Sequence, residues 1–485
     1  MKRKGERSMK KTLAVATIIS SMGFAGHALA AEFAFHGDLD HRFQVYTNHA
    51  DFLAGDKFKK GGHVDVDNDV DDAWGEVKYR IWAEMASDNK NVKGVYAIEV
   101  GGLEFGQSDS IGKSKGGNYS GDGVNVETRW AYLDMQVPGV SDKMRLKTGL
   151  QPFNLNKYFW KETVMGVNLD GKTGSVGYLV GWERPYRVDA KHGGSDVSDV
   201  DAFVGKLSFS LADKSKVGLF GSYISNDSAT TVDEETGART WAKLDANKWE
   251  IKKLKDTVDL GIYTMGVNGK FNINNIFVGG DLIYQGGSID NAQYVDQDGV
   301  SSAAHDYDVN SFFARIETGA KIGATKITGM YWYASGDDDP TDDEVNAYLA
   351  TDVDMGASMV LMEGHPTSDD YFTERPYILD KGMHLLKLSV DSKVSEQTTI
   401  GGALLYMMTA EDITYTNGAG QRFADDGIGT EIDMYVKYKL YPDVTLSFNA
   451  GYLIADDAMD YFEQDLNGSA DEDIYTVGAR LRYKF

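Results

Sequence analysis

Residues 475–485 read YTVGARLRYKF, and this stretch decides the fold. Tyr475, Val477, Ala479, Leu481, Tyr483 and Phe485 share one face, while Thr476, Gly478, Arg480, Arg482 and Lys484 share the other. A period of two is that of a β-strand. One face is apolar to the last residue and the opposite face carries three cations, so an apolar medium lies outside one face and water outside the other.

The same alternation recurs upstream from Gly37. Ile432, Met434, Val436, Tyr438 and Leu440 alternate with Glu431, Asp433, Tyr435, Lys437 and Lys439. A soluble β-sandwich also alternates, but strands of five or six residues suffice there. Here the runs last about ten residues, the length a tilted strand needs to cross a bilayer. Aromatic residues near strand ends, as in Tyr331-Trp332-Tyr333 and at Tyr438 and Tyr441, suit interfacial girdles. The expected fold is all-β, a transmembrane antiparallel up-and-down β-barrel. Turns such as Asp213-Lys214-Ser215-Lys216, Gly323-Ala324 and Pro442-Asp443 alternate with long polar stretches, placing short turns on one side and long loops on the other. An open edge in hydrocarbon would leave backbone groups unpaired, so the last strand is expected to pair with the first, Gly37 to Thr47. Parity gives eighteen strands if residues 166–187, GVNLDGKTGSVGYLVGWERPYR, form a hairpin turning at Asp170 to Gly174. Folding that stretch into the lumen gives sixteen.

The N-terminus fits secretion. Lys10 and Lys11 precede an apolar run, and small residues at Ala28 and Ala30 form a cleavage motif, so residues 1–30 read as a signal peptide and residues 31–485 as the barrel domain. Without the signal, 43 Lys and Arg face 73 Asp and Glu, a net charge of −30 that disfavours nucleic acid as a partner. With no Cys in the chain, disulfides and thiolate chemistry are excluded. No H-E-x-x-H motif is present and the nine His are scattered, so no enzyme and no cofactor is expected. The acidic stretches 65–72, 336–344 and around 471 read as solvated outer loops that share divalent cations at the cell surface. Asp65, Asp67, Asp69, Asp71 and Glu76 follow calcium-loop spacing, but Val70 stands where that loop needs Gly, so no metal site is assigned.

Two features carry a candidate pore. The loop after the fifth strand, PFNLNKYFWKE at 152–162, holds Lys157, Lys161 and Glu162, and bending it inward would narrow a water-filled channel. The polar faces of the first strands carry Arg42, then Lys78 and Arg80 with Glu76 and Glu84, then Arg145 and Lys147, joined by Arg129 if its strand is bulged. Cations on one wall opposite acidic groups on a loop would set ion preference.

Gly149-Leu150-Gln151-Pro152-Phe153, Gly181-Trp182-Glu183-Arg184-Pro185 and the terminal Tyr483-Lys484-Phe485 give the chain a resemblance to bacterial general porins, most closely the homotrimeric outer-membrane porins of sulfate-reducing bacteria. The resemblance implies a homotrimer of passive pores for small hydrophilic solutes and ions, a constriction loop after the fifth strand, and a setting of outer-membrane lipid and lipopolysaccharide. Tyr483 and Phe485 would then form the ending read by the barrel-assembly machinery. A channel selective for one anion or nutrient is the alternative reading of the same residues.

Overall fold

The computed structural model describes residues 32–47, 72–106, 126–140, 143–187, 199–226, 231–232, 239–240, 242–246, 249–251, 259–295, 301–339, 342–362, 373–416, 420–462 and 473–485. Residues 1–30, expected to be a signal peptide, and the acidic stretch 65–71 lie outside them. Eighteen long strands follow one another around a closed barrel. They are β1 (Glu32–Tyr46), β2 (Asp72–Ala86), β3 (Val92–Glu104), β4 (Glu127–Gln136), β5 (Arg145–Pro152) and β6 (Thr163–Thr173). Then come β7 (Val176–Arg187), β8 (Asp199–Ser210), β9 (Lys216–Asn226), β10 (Asp259–Ile273), β11 (Ile276–Val295) and β12 (His305–Ile322). The series ends with β13 (Thr325–Ala334), β14 (Met383–Lys393), β15 (Thr398–Thr416), β16 (Arg422–Tyr441), β17 (Val444–Ala455) and β18 (Ile474–Lys484). Each pairs antiparallel with its neighbours. Two short segments, Ala242–Asp245 and Glu344–Val345, add to β11 and β12 in parallel.

Closure runs where the terminal alternation requires it. Leu39 stands opposite Tyr483 and Val45 opposite Val477 across the β1–β18 seam. At its end the Gly37 N–H donates to the Phe485 carbonyl at 3.0 Å, and the Phe485 N–H returns to the Gly37 carbonyl at 3.1 Å. The Phe485 ring lies so close over Gly37 that a Cβ there would meet it at 2.2 Å. Closing the sheet removes the edge that hydrocarbon would not tolerate.

The hairpin that decides between sixteen and eighteen strands is formed: β6 and β7 pair through Gly166 opposite Glu183, and Met165, Val167 and Leu169 point outward. Its turn is at Gly174-Ser175, a few residues beyond the expected Asp170 to Gly174. Outward side chains form the lipid stripe, with Leu282, Phe312, Ile316, Leu386, Met434, Tyr475 and Val477 all exposed. The aromatic girdle is partly corrected. Tyr331 faces out, but Trp332 between its two tyrosines is fully buried on the inner face.

The lumen holds more than water. The described residues of the loops 153–162, 242–251 and 335–382 turn inward and pack in one apolar cluster with the inner faces of β8 to β17, including Phe159, Trp249, Tyr348, Leu349, Tyr377 and Trp332. Burial of these rings is the driving force that folds long loops back into a barrel.

Candidate functional site

Two arrangements meet inside the barrel: a charged wall on the strands beside the seam and a lattice of inturned loops on the other side. The wall begins with inward residues of β18 and β1. Arg480 and Arg482 each fork onto a carboxylate, Asp40 and Asp38, and Lys484 adds a contact of 3.5 Å to Asp38. Such planar fork-on-carboxylate pairs fix both partners. Arg42 meets Glu76 at 2.7 Å.

Farther round, three cations converge on one carboxylate. Arg80 reaches Glu99 at 2.6 Å, Arg129 at 2.5 Å and Lys78 at 3.5 Å. Arg129 arrives there because the β3–β4 register shifts between Ala97 and Ile98, the bulge on which its inward position depended. Arg145 pairs with Asp134 and Lys147 with Asp170. The basic residues read from the sequence therefore share one wall. Glu76, expected on this wall, is the partner of Arg42; the acidic groups expected opposite on a loop are replaced by carboxylates on the strands themselves. Asp38 and Asp40 lie on the same polar face of the first strand as Arg42; Glu99 and Asp134 were missed, although the neighbouring-strand alternation that exposes the cations also turns these carboxylates inward.

Loop 153–162 does cross the lumen. Asn156 donates to Asp281 on β11 at 2.8 Å, and the Lys206 ammonium on β8 donates to the Asn154 and Leu155 carbonyls at 3.0 and 2.7 Å. Arg315 of β12, held by Asp281 and Glu317, lies 5.1 Å from the centre of the Tyr158 ring. This is a cation over an aromatic face. Desolvation among these groups, followed by the charges of Arg315 and Lys161, lowers the Lys157 ammonium below the usual lysine range. Lys161 contributes mainly through its backbone, which donates to the Asp352 carbonyl, and Glu162 accepts from the Thr163 N–H. The expected grouping of Lys157, Lys161 and Glu162 as one charged unit is thus loosened.

Loop 335–382 locks onto loop 153–162 and onto the wall. Tyr348 donates to the Tyr158 carbonyl at 3.0 Å, and the Thr351 N–H donates to the Phe159 carbonyl. Gln285 of β11 exchanges two hydrogen bonds of 2.9 Å with the backbone of Leu349, as a paired strand would. On β16 the fully buried Glu431 accepts from the Ser358 hydroxyl and from the Met359 and Val360 N–H groups. Asp337, expected in a solvated outer loop, is buried, accepts from the Asn346 N–H, and lies beside Asp380 and Lys381. Burial first, with the charge of Asp380 adding to it, pushes the Asp337 carboxyl up to about 7. Where loops meet, Glu250, Asp352 and Glu374 bring carboxylate oxygens within 4.8 Å of one another, a donor set of the kind hard divalent cations take.

The sequence held a signal for these loops. Val200, Ala202 and Val204, Leu260 and Ile262, and Leu385 are apolar on the inner face of strands whose outer face is also apolar. A lumen that held only water would not select such residues.

No protein-family model and no curated protein matches the chain. Solved structures do. Pseudomonas aeruginosa OccK9 (OpdG) matches at 13% identity and a TM-score of 0.52, covering 94% of this chain and 98% of that one. Pseudomonas aeruginosa OpdL matches at 10% identity and 0.52, covering 94% and 99%. A BenF-like porin from Pseudomonas fluorescens Pf-5 matches at 9% identity and 0.52, covering 94% and 100%. Identities this low establish a shared fold. These matches overturn the resemblance to homotrimeric general porins of sulfate-reducing bacteria, and the homotrimer implied by it loses its support. The fold they share with this chain is a closed antiparallel β-barrel, here of eighteen strands with an apolar outer stripe.

Proposed function

We propose that the protein is a substrate-selective outer-membrane channel for small anionic solutes, rather than an open pore for general diffusion. The observation that carries this reading is the convergence of three cations of the lumen wall, Lys78, Arg80 and Arg129, on the single carboxylate of Glu99. Low-dielectric walls focus such a field and raise the local concentration of anions. The inturned loops support the same reading, because a lumen narrowed by Tyr158, Tyr348 and their neighbours brings every solute close to these side chains. Arg42, Arg145, Lys147 and Lys157 extend the basic path; Lys161 and Glu162 belong to its loop. Small hydrophilic anions entering from the loop side would pass from one paired cation to the next, each exchange replacing one carboxylate partner by another.

The test is single-channel recording in planar bilayers. Under a salt gradient the reversal potential should favour anions, and the flux of small carboxylates should saturate. A channel that prefers cations and conducts in linear proportion to solute would overturn the reading.

The chain end has a separate role in the same proposal. Tyr483 and Phe485, whose rings lie 5.2 Å apart on the outer face, are taken as the ending read during barrel insertion. Deleting Phe485 should reduce assembled protein in the outer membrane, as measured by surface labelling, while single-channel conductance of the molecules that insert stays the same. Wild-type surface levels would contradict this role.

A further inference from the structure

At the turn-side end of the charged wall, the inner faces of β1 to β5 and the turn between β2 and β3 line an open cavity of ≈ 330 Å³. Its charged lining residues are Glu32, Glu84, Lys90, Lys93, Asp134 and Arg145, and Ala34 and Ala86 complete it. The volume lies at the lower end of the range found for small-molecule sites, roughly 300–1,000 Å³. Cations and anions are equal in number. Each cation has a partner: Lys90 with Glu32 at 3.0 Å, Lys93 with Glu84 at 3.2 Å, and Arg145 with Asp134 at 2.5 Å.

The order of these charges is set by the sheet. Lys93 of β3 stands directly opposite Asp134 of β4, so the second and third pairs are neighbours. From β2 to β5 the wall presents Glu84, Lys93, Asp134 and Arg145, one charge per strand and of alternating sign. Adjacent strands are about 4.8 Å apart. A simple anion placed there gains from Lys93 and Arg145 and loses to Glu84 and Asp134, and a simple cation fares no better. A solute carrying both signs a few ångströms apart can match the alternation, with its carboxylate toward Lys93 or Arg145 and its ammonium toward Asp134 or Glu84. The Lys93 and Glu84 side chains are only partly covered, at 27% and 32% exposure, so exchanging one partner for another costs little.

We infer that this cavity is a binding site for small zwitterions of the α-amino-acid class, placed at the exit of the pathway. The inference rests on the reading of the protein as a solute-selective channel and goes beyond its preference for anions, because a zwitterion carries a carboxylate but no net charge. At neutral pH, alanine, propionate and ethylammonium serve as probes of similar size that carry both charges, the negative one or the positive one. Alanine should halve the single-channel current at a concentration at least tenfold below either of the others. The double variant Lys93→Gln with Glu84→Gln should lose that difference. Equal potency of the three probes on the unmodified channel overturns the inference whatever the variant does, and so does a conducting variant that still prefers alanine. The reversal potential of the unmodified channel separates the two proposals: cation preference together with alanine block would retain the cavity site and remove the anion-selective reading.

Discussion

Strands β1 to β5 and strands β8 to β17 face the same lumen with different chemistry. On the first group the inward positions are Asp38, Asp40, Arg42, Glu76, Lys78, Arg80, Glu99, Asp134 and Arg145, paired with one another and with β18. On the second group they include Val204, Ile224, Ile262, Ile283, Phe313, Trp332, Leu385 and Leu405, buried under inturned loops. A polar inner face keeps water and solute against the wall; an apolar inner face recruits the chain's own loops to cover it. The difference makes a wide cylinder into an off-centre path, bounded by charge on one side and by packed aromatic residues on the other.

The strongest way to break this contrast is to remove the cover. Replacing residues 338–376 by a short Gly-Ser linker deletes the partners of Glu431, Gln285 and Tyr158 and exposes the apolar inner faces. Conductance per channel should rise severalfold, and any block by solute should weaken. A variant that assembles with unchanged conductance would show that ions do not pass beside this loop.

Reversing the charged side should have the next largest effect. With Lys78→Glu, Arg80→Glu and Arg129→Glu together, Glu99 becomes one of four carboxylates, and the reversal potential should change sign toward cations while conductance stays within about twofold. An unchanged reversal potential would move the selectivity filter away from Glu99. Because these residues lie on strands, the effect should weaken with added salt as screening shortens, on the order of an 8 Å Debye length at physiological strength.

The two sides were not equally legible in the sequence. Alternation made the barrel, its closing pair and the basic wall readable, because a strand's period alone assigns faces and β16 to β18 keep that period without interruption. Even the bulge at Arg129 was anticipated as a condition, since its side chain had to change face to join the wall. The acidic partners required a further step, from faces to register, and register depends on turn geometry: Glu99 meets Arg80 only once β2 and β3 are aligned. The inward bend of loop 153–162 was legible from its aromatic residues, but the loops it packs with were hidden for another reason. Their aromatic residues are spread over 153–162, 249–251 and 346–379 without any period, and they become a cluster only after the barrel has brought their ends together. Asp337 shows the limit: an acidic run reads as solvated, yet this member turns in beside Lys381.

That residue gives a smaller, pH-dependent prediction. With its carboxyl raised to about 7 by burial and by Asp380, Asp337 binds its proton more tightly in the packed loop than when released, where its value is near 3.8. Loop anchoring is therefore strongest below that lower value and declines as pH rises through the interval up to about 7, with no further change from this group above it. Protease protection of loop 335–382 should follow that curve, and Asp337→Asn should flatten it. A slope of the opposite sign, or one that persists in the variant, would remove Asp337 as its cause.

The smallest effect tests the joint between the two loops. Tyr348 is fully buried and donates its hydroxyl to the Tyr158 carbonyl, a bond joining residues far apart in the chain. Tyr348→Phe keeps the ring tilted against Phe313 and deletes only the donor. The loss should be about 1 kcal/mol, the net worth of one such hydrogen bond. Because global unfolding of the barrel involves all eighteen strands, so small a change is better read locally: amide exchange in residues 153–162 should quicken about fivefold while exchange in β1 to β3 stays the same. If β1 to β3 quickened equally, the charged wall and the loop-packed side would form one cooperative unit, and their separation would hold for chemistry but not for stability.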